Sequence, residues 1–419
     1  MSAPVAARQA VPMFLAFAFA YFFSALLRAV TATLAPVFSA ELQLAAAELG
    51  LLAGAYFLGF SAMQLPLGSA LDRWGAKRVL LAFLSVAVLG CMAFAAARSL
   101  PQLLLARLLI GVGVAACLMA PLTCFRHRLS GAAQLRANAW MLMTGSLGML
   151  ASTLPVQWLM PVVGWRGLFW IVAVLLLLAM ALLAWAVPAD DPVAPQPAPA
   201  DPGAGGYAEV FRHPAFVRLA PLGAVAYGGM VALQSLWIGP WLTQVGGLDA
   251  AAAAQGLFVV NAAMLCAFLA WGWAMPRLLA RGWAGERLIL LTWPAGVLVL
   301  AWIVWLGPQA GAAHWALWCV CTSVVSLSQP AVGQAFAPAL AGRALSAFNL
   351  MIFAGVFALQ WGMGLVIDAL RALGWSTLPA YRLAFGGFAL LCLACFGWLH
   401  WRSRGPHGAA AAAVADAGR

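Results

Sequence analysis

Charge is scarce in this chain: Asp, Glu, Lys and Arg make up 8% of its 419 residues, while 65% are hydrophobic. A soluble domain carries roughly 25% charged residues, so this composition excludes a water-soluble fold built around one internal core. Acids are the scarcer sign, 11 against 22 basic residues, and lysine occurs once. The formal charge of +11 would suit a nucleic-acid binder if the basic residues shared one wettable face. They sit instead in short loops between apolar runs, so nucleic acid is not an expected partner. The dominance of arginine over lysine, with abundant alanine, points to a GC-rich bacterial source.

Other absences narrow the function. All eight cysteines (Cys91, Cys117, Cys124, Cys266, Cys319, Cys321, Cys392 and Cys395) fall inside apolar segments, which argues against a secreted disulfide framework. The histidines at 127, 213, 314, 400 and 407 are scattered, none at metal-ligand spacing from another, so no metal and no cofactor is expected. No phosphate-binding glycine loop and no nucleophile-base constellation occurs, so neither an ATP-driven pump nor an enzyme is supported. The amino-terminal apolar run, about 12 to 38, is too long for a signal-peptide core and reads as an uncleaved first span.

What the chain does have is long apolar runs. A bilayer needs about 20 apolar residues per helix, and twelve such runs can be marked, near 12–38, 46–67, 79–97, 102–124, 135–159, 167–187, 217–241, 252–275, 286–307, 312–336, 344–367 and 380–401. Between the sixth and seventh lies a polar, proline-rich stretch that cannot stay in lipid. It divides the chain into an amino-terminal half, 1–187, a linker, 188–216, a carboxy-terminal half, 217–401, and a tail, 402–419. With the amino terminus inside, sixteen of the 22 basic residues fall in cytoplasmic segments. Arg98, Arg166, Arg371 and Arg382 fall outside, and Arg28 and Arg107 within spans. Both termini are therefore expected to be cytoplasmic in the inner membrane of a bacterium.

The second loop reads Gly68-Ser-Ala-Leu-Asp72-Arg73-Trp-Gly75-Ala-Lys77-Arg78. A positive-inside loop explains the basic residues but not the acid or the glycine spacing. The order resembles the loop between helices 2 and 3 of the major facilitator superfamily of secondary transporters. Arg107-Leu-Leu-Ile-Gly111-Val-Gly113 resembles that family's fourth-helix pattern, and Gly164-Trp-Arg166 its outer turn before helix 6. A fainter echo, Gly272-Trp-Ala-Met-Pro276-Arg277, stands in the second half without the acid. The resemblance implies an all-α integral membrane protein of twelve helices in two pseudo-symmetric halves of six, with solute bound between the halves near mid-membrane. The loop is then a gate: Gly68 and Gly75 permit close approach and a tight reversal, and Asp72 is expected to meet unpaired N–H groups at the start of span 11, near Ala344 to Ser346. The fifth-helix signature of drug/proton antiporters is missing. The first span, through Tyr21 to Arg28, followed by Glu48-Leu-Gly, resembles branches that import organic anions or amino-acid-like solutes.

A charge at the bilayer centre costs about 3 kcal/mol on insertion scales, which singles out Arg28 and Arg107. Arg28 lies near the middle of the first span, at the depth of a substrate cavity. Arg107 lies five residues into the fourth and has two readings, snorkelling outward or bonding backbone carbonyls. No acid stands at mid-depth, and Asp368 lies only at the outer end of span 11, so the buried acid that a cationic-drug exporter needs is lacking. Helices 1, 4, 7 and 10 line the cavity in the family, so Tyr227, Gln234, Ser323, Ser326 and Gln329 are candidate solute contacts beside Arg28. The expectation is a transporter working by alternating access on a small anionic or zwitterionic organic solute, coupled to protons, monomeric and in contact with lipid. Efflux of an amphipathic compound and a non-transporting membrane sensor are the alternatives.

Overall fold

The computed structural model describes residues 7–188, 206–283 and 285–404; most of the expected linker and tail lies outside them. Its described residues form helices and no strand. Twelve spans follow one another. They are α1, Ala7–Glu41; α2, Ala46–Ala62 continued after a 44° bend by Gln64–Trp74; α3, Ala76–Ala96; and α4, Leu100–Arg128. Next come α5, Gly131–Ala151 with its continuation to 163, and α6, 165–186, which are separated by the left-handed Gly164 at φ 63°. The second half holds α7, Pro214–Val245; α8, Ala250–Ala280; α9, Gly285–Leu306; α10, Ala312–Gln334; α11, Pro338–Ala372; and α12, Thr377–Arg404. Among the described residues, ten helices are long and apolar enough to cross a bilayer and the bent pair makes an eleventh; Gly131–Ala151 is a further helix of 21 residues. The chain is a multi-pass membrane protein. Residues 207–212, placed in the linker by sequence, form a short helix that precedes α7.

Without a hydrophobic driving force between helices in lipid, association rests on close packing and interhelical bonds. The glycines show where backbones touch. A Cβ on Gly111 of α4 would lie 1.9 Å from the Tyr56 carbonyl oxygen of α2, and one on Gly50 of α2 would lie 2.2 Å from that of Gln360 on α11. These two crossings put α2 between its own half and the other half. Gly68 differs: a Cβ there would meet nothing within 4 Å, so it makes no close approach, contrary to the expectation from the loop pattern. Gly111→Ala is accordingly expected to cost about 1–3 kcal/mol through overpacking, whereas Gly68→Ala, inside a helical leg, should be neutral or stabilising by about 0.5–1 kcal/mol. Melting of the two variants in one detergent checks this; equal shifts would show that the α2–α4 crossing tolerates a methyl group.

The remaining motif residues have local jobs. Gly75 adopts φ 80°, where a side chain would be strained, and its N–H donates to Leu71 as the chain turns into α3. Lys77 Nζ donates to the carbonyls of Ala184 at 2.7 Å and Val187 at 2.6 Å, capping the carboxy-terminal end of α6. Arg73 lies over Trp74, its guanidinium 5.6 Å from a ring centroid. At the opposite face, Arg166 pairs with Glu41 and stacks on Trp165, whose indole N–H donates to Glu41 at 2.6 Å. The Gly164 turn thus ties the end of α1 to the start of α6.

Candidate functional site

Arg28 stands two-thirds of the way along α1, deep in the molecule yet half-buried rather than sealed. Its guanidinium carbon lies 5.5 Å from the Phe60 ring centroid on α2 and 5.7 Å from that of Phe353 on α11. Those two rings meet each other edge to face at 4.5 Å, joining the halves beneath the cation. The hydroxyls of Tyr21 and Tyr56 face the guanidinium, and Tyr227 of α7 lies within its electrostatic reach. Tyr56 donates its own proton to the Ser24 carbonyl at 3.3 Å, which leaves oxygen lone pairs turned to Arg28. Arg28 Nε is buried and has no hydrogen-bond partner. Residues from both halves therefore surround a cation whose hydrogen-bonding capacity is not exhausted.

Arg107 sits behind this group. It is 1% exposed, so it does not snorkel to the surface. Its Nη1 donates to the Leu27 carbonyl at 3.0 Å and its Nη2 to the Thr31 hydroxyl, two positions of α1 that bracket Arg28. Its guanidinium also lies over Tyr56, at 5.4 Å, and over Phe94, at 5.8 Å. Tyr56 is thus shared, its ring face turned to Arg107 and its hydroxyl to Arg28. The ionisable groups acting on the two arginines are tyrosines, Cys91 and Cys117; among the described residues no carboxylate is one of them. Two positive charges are held in a low-dielectric interior by ring faces, hydroxyls and carbonyls alone.

Of the other expected contacts, Tyr227 lies within electrostatic reach of Arg28, and four are bonded elsewhere. Gln234 donates to the Asn261 side chain of α8 at 3.1 Å. Ser323 accepts from the Trp271 indole at 2.8 Å and donates to the Val320 carbonyl. Ser326 donates to the Ser323 carbonyl at 2.7 Å, and Gln329 donates to Asn349 of α11. These polar groups are committed to helix packing. Residues not anticipated as site members are Tyr21, Tyr56, Phe60 and Phe353. Tyr21 is held by α5, where its ring lies against Gly145.

The gating loop differs from expectation at Asp72 as well as at Gly68. α11 begins at Pro338, with Leu340 and Ala341 N–H groups already bonded to Ala337. Ala344 to Ser346 are thus more than a turn inside the helix, where N–H groups are no longer free to cap a carboxylate. At this face the Tyr207 side chain, from the short helix before α7, bonds to the Leu65 carbonyl at 3.4 Å and to Ser346. Asp72 and Arg343 both act electrostatically on its hydroxyl.

Comparison with known proteins agrees with this architecture. The sequence model described as Major Facilitator Superfamily matches residues 17–359. Among solved structures, a bacterial homologue of the human lysosomal transporter Spinster, inward-facing and unoccupied, superposes with TM-score 0.78 at 17% identity over 96% of this chain and 98% of the other. The nucleoside transporter NupG gives 0.71 at 16% identity, covering 94% and 99%. A D-xylose-proton symporter gives 0.67 at 14%, covering 91% and 96%. No curated protein sequence matches the chain.

Proposed function

Because the chain belongs to the major facilitator superfamily, we propose that it is a secondary transporter that carries a small organic anion or zwitterion by alternating access of its two halves. One observation carries the solute class: two guanidinium groups, Arg107 buried and Arg28 half-buried, share Tyr56, no carboxylate among the described residues acts on either, and Arg28 keeps an unpartnered N–H. An isolated charge in such surroundings is unfavourable by several kcal/mol. A solute carboxylate or similar anion at Arg28 supplies the missing countercharge, and the planar fork can hold it through two parallel hydrogen bonds. The same field repels organic cations.

The aromatic wall adds a second feature. Phe60, Phe353, Tyr21 and Tyr227 offer apolar contact beside the cation, which suits an anion with a hydrophobic body and supports efflux of an amphipathic anion as the alternative direction. The face bearing Arg73, Lys77 and Arg78 is taken as cytoplasmic, following the excess of basic residues. A proton gradient is the proposed driving force.

Purified chain in proteoliposomes tests this reading. Saturable counterflow is expected with members of a panel of small carboxylates and amino acids and absent with organic cations, and an imposed proton gradient should drive accumulation. Saturable flux of cations, or binding of anions with no flux in either direction, would decide against it, the latter in favour of a sensor.

A further inference from the structure

The start of α2 and the end of α11 are joined across the halves by a carboxylate. Asp368, one turn before the end of α11, accepts from the Ala46 N–H at 3.0 Å through Oδ1 and from the Ala47 N–H at 2.7 Å through Oδ2. Ala45, preceding α2, brings no capping side chain, and its own N–H donates to Glu48 at 3.0 Å. The first donors of α2 are therefore served by two carboxylates, one of them from the other half. Gly364, one turn below Asp368, allows the approach: a Cβ there would lie 2.4 Å from the Ala46 carbonyl oxygen.

Beside this clip lies a cavity of about 140 Å³, lined among others by Asp368, Arg371, Thr377, Tyr381, Gln244 and Leu49. It opens on the face poor in basic residues, and its polar wall can hold water. The charged and titratable groups around the carboxylate are Arg371 on its own helix, Glu48 on α2 and Tyr381 on α12; from α7 come only neutral side chains, Gln244 and Trp237. Arg371 donates to the Trp375 carbonyl and, at 3.1 Å, to the Thr377 hydroxyl, and Tyr381 donates to Gln244 at 2.9 Å.

We propose that Asp368 is a proton-binding site that latches this face of the molecule: ionised, it clips α2 to α11, and protonated from the cavity it releases α2 so that the face opens. The chemistry is a single proton transfer from hydronium in the cavity to a carboxylate oxygen, leaving water. That oxygen becomes a donor and loses its charge, so one of the two N–H groups loses its acceptor and the attraction to the amino-terminal helix dipole disappears. The proton returns to the same face when the clip reforms. The device therefore sets how flux depends on pH at that face without fixing a coupling stoichiometry. It rests on the alternating-access reading, but its test needs no solute.

Leu49, 2% exposed behind the clip, and Leu373, 75% exposed on the same face, are replaced singly by cysteine in the full chain. Both are labelled in liposomes with a membrane-impermeant thiol reagent, with the parent chain as background. The ratio of the Leu49→Cys rate to the Leu373→Cys rate removes the reagent's own pH dependence. The ratio should rise by less than about twofold from about pH 7 to about pH 4 and by about three- to fourfold by about pH 3. In Asp368→Asn it should be high and indifferent to pH. A ratio unchanged by pH in the chain that keeps Asp368 overturns the proposal even if Asp368→Asn fails to fold, as does a pH response that persists in Asp368→Asn.

Discussion

Replacing Arg28 by alanine is expected to abolish saturable transport of the solute anion while leaving the chain folded and inserted in the membrane. Hydrogen bonds to charged groups contribute roughly 1.5–3 kcal/mol each, so losing a two-pronged contact lowers affinity by at least about 100-fold. Folding should survive, because the guanidinium is held by ring faces and hydroxyls rather than by a buried acid that would be left unpaired. Arg28→Lys retains the charge without the planar fork and should keep weak binding, down by roughly tenfold. Binding titration and counterflow kinetics of the two variants with the identified solute check this. Unchanged affinity and rate in Arg28→Ala would make the residue structural and remove the anionic assignment with it.

The architecture was legible because each span needs its own apolar run and because the Asp72-Arg73 loop and the Arg107-Gly111 stretch carry recognisable spacing. The site was legible only in part. Arg28 stands out as a cation at mid-depth with no acid in its span, a signal that its position in the apolar run supplies. Its partners did not, since Tyr21, Tyr56, Phe60 and Phe353 are aromatic residues in a chain with 23 phenylalanines, and Phe60 and Phe353 meet across nearly 300 positions of sequence. Gln234, Ser323, Ser326 and Gln329 are polar residues on spans 7 and 10, but residue type does not say which way a side chain faces. Each satisfies a neighbouring helix or its own backbone, as buried polar groups in lipid must. Asp368 was visible as an acid at a membrane edge. Its partners are backbone N–H groups of Ala46 and Ala47, which no sequence pattern marks. The clip joins the same two helices, α2 and α11, that Asp72 is expected from the sequence to join at their opposite ends.

Arg107→Ala is expected to be the most damaging single change to the fold. It removes a bond to the Leu27 carbonyl, another to the Thr31 hydroxyl and two ring contacts at the point where α1, α2 and α4 meet, and it leaves a cavity in place of a side chain that is 1% exposed. The expected cost is about 3–5 kcal/mol, seen as a lowered melting temperature and poor recovery from detergent. Arg107→Met separates packing from charge. Because no carboxylate is left behind, exchanging a buried cation for an apolar chain of similar length should shift stability by less than about 1.5 kcal/mol. The solute site should still suffer. Leu27 and Thr31 lie on either side of Arg28, and Tyr56 is shared by both arginines, so the methionine variant loses both the second positive charge and the bonds that fix this turn of α1. Apparent solute affinity is expected to fall while the maximal rate holds, and Arg107→Lys should recover part of the affinity. A methionine variant with wild-type affinity would show that Arg107 serves the packing of α1 on α4 and contributes nothing to the field at Arg28.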